Sequence, residues 1–529
     1  MTEKNQGVRG WVAQWYSHES DDSMIPLDIP IATQLFDETR LFICTSYPKG
    51  ITRAWTVKLR GFLKPKSYNV DFEFGLIAAG RAKVRFLNRP HQSSSSQSFV
   101  DTPFSPTHIC HVQLLVDGHL VIDNWTRQRR GGYFFGFGSA EERGVYHLRA
   151  NQIHEICVEF CNVSAPVDGG EDSTVLDSTA GVRLGGAEVR NSNDLMNEAV
   201  EAAKEADFVI AVVGLNADFE TEGHDRKTLA LPGRTDELIR KVAEVNKNTI
   251  VVTQAGSAIT MPWVDEVPSI VHAWYLGNMT GDAIAQVLLG EVNPAGRLSL
   301  TFPKRLEDVP SYASFALENG KVRYSEDLMV VGYPIRFHFG KATSAIYFFL
   351  MFYLSVGIQT LSQDRYQTSF RFRVRDFLNS LTRASNTPGN LSHGLSYTTF
   401  EYSDLKVSEA TYPDGDIHIT VTFTLTNSGS VAGSEAVQLY VTLPQAVGCT
   451  HPPLQLKAFK KVKDLKAGAS VEVALDLDKY AVSYWDESCS TWNVDSGVYV
   501  VRVGGSSAKE ALVLSGQFEV PKSFRWNGL

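Results

Sequence analysis

Glu220 to Lys227 reads ETEGHDRK and lies a few residues after the apolar run FVIAVVGL. Two carboxylates, a glycine, a histidine and an Asp-Arg pair in one short loop are residue types suited to moving protons. A carboxyl on a loop at a strand's carboxyl end can protonate a leaving oxygen when burial or a neighbouring anion raises its pKa. Glu222 is placed for that role, and Glu220, on the same loop, is the runner-up. Gly223 lets the backbone turn tightly. Asp225 and Arg226 can form a bidentate pair that fixes the loop. Taken alone, the octapeptide reads first as a charged, solvent-exposed turn, because short acidic motifs recur by chance.

The elements around the loop settle what could position it. NSNDLMNEAVEAAKEAD carries Leu195, Ala199, Ala202 and Ala206 at helical spacing, and Phe208 to Val213 is short and continuously apolar, as parallel strands covered on both faces are. The cycle repeats with helix RTDELIRKVAEVNK and strand TIVVTQ, then strand SIVHAWY and helix TGDAIAQVLLG. These cycles predict a partial α/β sandwich with a mostly parallel sheet over 193–330, whose ligands belong at the carboxyl ends of the strands. Residues 1–165 are aromatic, β-branched and alternating, and read as a β-sandwich, with Asp117-Gly118 as a hairpin turn. Trp11, Trp15 and Trp125 read as its core rather than as sugar platforms. The polar, Gly-rich 166–192 reads as a linker, and 392–525 as a second β-sandwich of immunoglobulin-like type. The fold class is therefore multidomain α/β plus β.

Two stretches break this pattern. Residues 84–113 interrupt a β run, and 331–391 mix an apolar patch, a basic run and a polar tail without a shared period. Loops of that length inside compact domains argue against the assignment. Each begins with valine, whose codons open with the splice-donor dinucleotide, so both read as retained introns, with disordered insertions as the alternative.

Composition excludes several function classes. The chain has 529 residues, more than one core's worth, and a formal charge of −9 without a basic stripe, which argues against nucleic acid as partner. The longest apolar run, Ala345 to Ile358, is shorter than the roughly 17–25 residues of a membrane helix. No signal-peptide pattern opens the sequence. Six cysteines show no CxxC spacing, and no metal-ligand set or cofactor motif is present.

GLNADFETEGHDRKTLALPG, VVTQAGSAITMPW, AWYLGNMTGDAIAQVLLGEVNPAGRLSLTFPK and HGLSYTTFEYSDL, taken in order, resemble glycoside hydrolase family 3, in particular fungal β-glucosidases. LLVDGHLVIDNWT is similar to the protective-antigen-type sandwich inserted in some of these enzymes, and VTFTLTNSGSVAGSEAVQLYV to their fibronectin type III-like domain. The resemblance implies a secreted, retaining glycosidase without metal or cofactor that releases terminal β-D-glucose from β-glucosides or oligosaccharides. It makes Glu222 the acid/base and Asp225 and Arg226 loop supports. The family's nucleophile is an aspartate in a Ser-Asp-Trp context on an amino-terminal (β/α)₈ barrel, and the chain contains neither. Met279 stands where relatives commonly have glutamate. The chain thus reads as a carboxyl-terminal piece of a β-glucosidase, inactive alone. The alternative is a non-catalytic carbohydrate-binding module or a degenerate remnant.

Overall fold

The computed structural model describes residues 10–20, 25–43, 48–63, 66–79, 81–87, 121–125, 128–129, 131, 133–134, 138–162, 180–221, 225–309, 311–315, 320–324, 346–349, 394–412, 416–444 and 451–528. The chain divides into two compact units, Met1–Leu195 with Ala217–Asp225, and Met196–Asn216 with Arg226–Leu529.

The first unit is built from β1 (Trp11–Ser17), β2 (Ala32–Phe36), β3 (Leu41–Ile43), β4 (Trp55–Leu63), β5 (Val70–Ala79), β6 (Arg81–Leu87), β7 (Asp123–Asn124), β8 (Glu142–Leu148), β9 (His154–Cys161) and β10 (Ala180–Glu188). They form two antiparallel sheets, ordered β2-β1-β4-β9-β6-β7 and β3-β10-β5-β8. Inward-facing residues of both sheets make one core around Trp15, Trp55, Leu59, Leu76, Val158 and Phe160. Trp15 and Trp55 pack with ring centroids 5.0 Å apart, and Trp55 meets Phe160 edge-on at 5.7 Å. Trp11, Trp15 and Trp125 are buried, so they are core, as their setting in β sequence predicts. Gly61 is required by Trp11, whose ring would lie 2.8 Å from an added Cβ.

Two expectations change here. The linker expected over 166–192 is in part a strand: β10 pairs with β5 from Gly181↔Ala79 to Glu188↔Phe72. Its glycines are packing sites, not turns. A Cβ on Gly186 would meet Phe72 at 2.6 Å, and one on Gly181 would meet Phe134 at 2.7 Å. The start of the 84–113 segment belongs to β6, which continues its alternation and pairs with β9 through Leu87↔Glu155. The remainder of that segment, including 88–113, and Asp117-Gly118 lie outside the described residues.

The second unit holds a parallel sheet, β11 (Val209–Gly214), β12 (Thr249–Gln254), β13 (Ser269–His272) and β14 (Ile346–Phe349), in that order. Helices α1 (Ser192–Glu205), α2 (Thr235–Val245) and α3 (Thr280–Leu288) match the predicted cycles. β12 and β13 are buried on both faces: Val251 and Ile270 join a core with Leu231, Ile239 and Trp263, while Ile250, Val252 and Val271 pack with Ile284 and Leu288. β11 departs from the expected double-sided burial. It pairs with β12 only among the described residues, and Val212 is 58% exposed. β14 falls inside 331–391 and pairs with β13, so that stretch is not wholly foreign to the sheet; the residues of the stretch other than 346–349 lie outside the described set.

The carboxyl-terminal sandwich comprises β15 (Phe400–Val407), β16 (Ile419–Asn427), β17 (Gly433–Thr442), β18 (Gln455–Leu465), β19 (Ser470–Leu477), β20 (Tyr484–Asp486), β21 (Thr491–Val494), β22 (Gly497–Gly504), β23 (Leu514–Val520) and β24 (Phe524–Trp526). Its main sheets, β15-β16-β19 and β18-β17-β22-β23, enclose Val421, Phe423, Leu439, Tyr499 and Val501. Polar groups join it to the α/β part. Tyr397 Oη donates to Val287 O at 2.7 Å, and Asn293 Oδ1 accepts from Tyr397 N and Ser396 Oγ, both at 2.8 Å. Arg297 forms an ion pair with Glu435, with side chains 12% and 5% exposed. Glu435 Oε1 also accepts from Tyr402 Oη at 2.9 Å.

Breaking a buried pair from one side leaves an uncompensated charge, so Glu435→Ala is expected to cost about 3 kcal/mol in urea unfolding. Replacing both partners by methionine should cost less, and equal costs for the two variants would refute this reading. A pH dependence follows from His451, whose imidazole burial holds below its ordinary value, with the Asp495 carboxylate opposing. A depressed pKa adds stability above the unfolded value and loses it as pH falls through the folded value. The unfolding midpoint should therefore drop below pH about 6.5 more steeply in the wild type than in His451→Gln. Parallel pH profiles would show that His451 contributes nothing.

Candidate active-site loop

β11 ends at Gly214, where a Cβ would lie 2.0 Å from Gln254 O, so the chain leaves the sheet closely apposed to β12. Leu215 N then donates to Gln254 O at 2.8 Å, and Leu215 is buried. The acidic loop follows. Over Ala217–Asp225 it belongs to the same unit as the amino-terminal sandwich. There Asp218 Oδ1 lies 2.5 Å from Arg183 Nη1 on β10.

Glu220 is half-buried within this segment, and Asp225 is exposed. Glu222, Gly223 and His224 lie outside the described residues. The expected bidentate pair between Asp225 and Arg226 is corrected. Arg226 turns its guanidinium to Thr228 O (Nε, 3.2 Å), Ser257 Oγ (Nη1, 2.9 Å) and Ala258 O (Nη2, 3.1 Å). The reason is geometric: carbonyl and hydroxyl acceptors in the loop after β12 match the separate donors of the guanidinium fork, while Asp225 is solvated. Thr260 N donates to Leu229 O at 2.9 Å and adds a backbone tie between the same two loops.

At the carboxyl end of β13, Trp274 takes a positive φ of 47°. Its ring meets buried His272 edge-on at 4.4 Å, and His272 also meets Phe302 at 4.9 Å. His272 Nδ1 shares a 2.9 Å hydrogen bond with Thr253 Oγ1. A bulky residue in the left-handed region marks a constrained site at the end of a parallel strand. Met279, in the turn before α3, is 40% exposed. The sequence reading missed both Arg183 and Trp274. Arg183 is far from Asp218 in sequence and sat in a presumed linker, whereas Trp274 could be found from its place directly after a buried strand.

Chemically, the loop concentrates carboxyl groups and places guanidinium groups at its two ends. Arg183 is paired with the Asp218 carboxylate at one end, and Arg226 bonds to Ser257 and Ala258 at the other. Residues 62–333 match the glycosyl hydrolase family 3 C-terminal domain, a span that contains the whole loop. The chain belongs to glycosyl hydrolase family 3. Residues 435–507 of this family 3 chain match a fibronectin type III-like domain. It is 39% identical over 510 residues to a protein of Aspergillus clavatus named "Probable beta-glucosidase I", covering 94% of the chain and 51% of the relative. It is 35% identical over 490 residues to "Probable beta-glucosidase J" of Neosartorya fischeri, covering 92% and 47%. The family 3 chain thus spans about half the length of the curated relatives it matches. A crystal structure of a β-glucosidase from Kluyveromyces marxianus in complex with glucose superposes with a TM-score of 0.71 at 27% identity, covering 100% of the chain and 52% of that protein. Among the described residues no helix is long and apolar enough to cross a membrane.

The tie between the two loops has a measurable consequence. Arg226→Met removes the donors to Thr228 O and, across to the loop after β12, to Ser257 Oγ and Ala258 O. Local opening of the peptide containing Ser257 to Thr260, followed by amide hydrogen exchange, should become easier by about 1–2 kcal/mol. Unchanged exchange there would show that the backbone tie alone suffices.

Proposed function

We propose that this chain supplies the acid/base half of a retaining β-glucosidase active site, with Glu222 as the proton-transferring carboxyl and Glu220 as the runner-up. The observation that carries the reading is the family 3 match across 62–333, which places TEGHDRK inside a recognised glycosidase domain. The names of the relatives support the substrate class, terminal β-D-glucosyl residues of β-glucosides or short oligosaccharides. The same reading puts the parent enzyme among secreted proteins and treats the amino-terminal unit as the protective-antigen-type sandwich.

In a retaining mechanism two carboxyl groups about 5–5.5 Å apart flank the scissile bond. The protonated Glu222 gives its proton to the glycosidic oxygen as an aspartate nucleophile bonds to the anomeric carbon. The resulting carboxylate then takes a proton from the water that attacks this carbon and releases the nucleophile. Arg226 supports this by fixing the loop, and Asp225 stands beside it as a solvated anion. The Ser-Asp-Trp nucleophile motif does not occur within the 529 residues, so one of the two carboxylate roles is unfilled in the polypeptide taken by itself.

The purified 529-residue chain should accordingly release no 4-nitrophenol from 4-nitrophenyl β-D-glucopyranoside above background. Joined in one polypeptide behind a family 3 barrel bearing Ser-Asp-Trp, it should turn over, and Glu222→Gln should lower that rate about 10²–10⁴-fold. The loss should shrink for a 2,4-dinitrophenyl leaving group, which departs without a proton. Insensitivity to Glu222→Gln together with loss in Glu220→Gln would move the role to the runner-up. Glucose binding without turnover in the joined protein would favour a carbohydrate-binding role.

A further inference from the structure

An Asn-X-Ser/Thr triplet can receive an oligosaccharide on the asparagine Nδ2 when a chain passes through the secretory route. Four such triplets occur in the sequence, at Asn124, Asn162, Asn278 and Asn390, and the fold treats them differently. Asn390 lies outside the described residues. Asn124, on β7, is 0% exposed, and its Nδ2 donates to Leu76 O at 3.3 Å and to Ser139 Oγ at 2.8 Å. A sugar there would replace one of those donor hydrogens inside the sandwich, leaving a buried acceptor unpaired and a bulky polar group without water. Asn162 holds the start of β4: its Oδ1 accepts from Trp55 N and its Nδ2 donates to Arg53 O, both at 2.8 Å. Val163 and Ser164 of that triplet lie outside the described residues.

Asn278-Met279-Thr280 is the triplet that the described residues contain whole, and its setting is the reverse of Asn124's. It occupies the short turn Gly277–Met279 between β13 and α3, and all three residues of the turn are exposed. Gly277 takes the left-handed φ of 73° that the turn requires. A Cβ built on Gly277 or on Gly281 would meet nothing within 4 Å, so the space on either side of the triplet is open. Among the described residues no hydrogen bond engages the Asn278 amide. The hydroxyl that the triplet needs is at the surface as well, where Thr280 Oγ1 donates to Gly277 O at 2.7 Å. The middle residue is methionine, and only proline would bar the triplet.

We propose that Asn278 carries an N-linked glycan when the chain passes through the secretory route, and that Asn124 does not. The assignment rests on the reading of the parent enzyme as secreted, because the modification is made only on that route. A glycan at Asn278 stands at the carboxyl end of β13, flanked by Tyr275 and Met279, which are 50% and 40% exposed. It therefore brings a hydrated group to a rim that otherwise presents large apolar side chains to water.

The test sends the 529-residue chain, behind a cleavable leader, into the secretory route of a yeast host. Peptide N-glycosidase in heavy-oxygen water converts each glycosylated asparagine into a labelled aspartate, which mass spectrometry locates peptide by peptide. In the soluble, folded chain the Asn278 peptide should carry the label and the Asn124 peptide should not. Asn278→Gln and Thr280→Ala should each remove one glycan's worth of gel mobility shift, while Thr280→Ser, which keeps a hydroxyl, should retain it. If Thr280→Ala disturbs α3, Asn278→Gln leaves the Thr280 bond in place and gives the same readout. Chain held in the endoplasmic reticulum is recovered and scored for Asn278 in the same way. An unlabelled Asn278, or a labelled Asn124 in a folded sandwich, would overturn the assignment. Label at Asn278 in the routed chain, but none in the same chain recovered from its own organism, would refute the secreted reading and leave the site standing.

Discussion

Two guanidinium groups tie down the acidic loop at the described residues on either side of it. Arg183 grips Asp218 near the loop's start, and Arg226 reaches Ser257 and Ala258 from its end. A loop with unpaired backbone groups must find partners in side chains or water, and arginine offers five donors in a fixed plane. Lysine would bring the charge and three donors on a single nitrogen, without the planar fork that reaches acceptors set apart from one another. The choice of residue at 226 is therefore set by acceptor geometry as much as by charge.

The sheet behind the loop imposes a different constraint. β12 and β13 are buried along almost their whole length, with odd and even positions feeding separate cores. Such strands have no freedom of register, because a one-residue slip would exchange the two faces. The strand ends are consequently fixed points, and Leu215, Ser257 and Trp274 leave from them. Trp274 adopts its positive φ while set edge-on to His272 and Phe302, so packing of large rings offsets a backbone cost of about 1–2 kcal/mol. β11 contrasts with its neighbours. With Val212 exposed and pairing to β12 alone among the described residues, it presents an edge of the kind that promotes association between chains.

Periodicity made the regular elements legible. The helix pattern of NSNDLMNEAVEAAKE became α1, and the alternation of ITVTFTLTN became β16 with inward residues buried in turn. What misled the reading was glycine. TAGVRLGGAEV looks like a loop because glycine usually punctuates strands, yet here each of two glycines makes room for a phenylalanine ring. That error hid β10, and with it Arg183, whose partner lies in a loop with no spacing relation to it. The acceptors of Arg226 were not legible, since Ser257 and Ala258 become its neighbours only through the parallel pairing of β11 with β12. The Asp225–Arg226 pair was a local inference from adjacency, and long-range acceptors won.

The joint between the α/β part and the carboxyl-terminal sandwich shows why polar groups sit where apolar packing would be cheaper to make. Asn293, Tyr397 and Lys461 each bond to a particular backbone group, namely Ala432 O, Val287 O and Ala295 O. Gly394 allows the closest approach, since a Cβ there would lie 2.3 Å from Gly296 O. Apolar contact tolerates sliding, whereas a set of directed bonds with a buried ion pair at Arg297 and Glu435 is satisfied in one arrangement only. An ion pair so desolvated adds little net stability over a well-packed apolar pair. Its effect is selective: any displacement of the sandwich leaves Glu435, which Tyr402 of the same sandwich also contacts, buried without Arg297. The joint thereby penalises wrong arrangements more than it stabilises the right one, because the cost of a buried, unpartnered carboxylate exceeds the net gain of the pair.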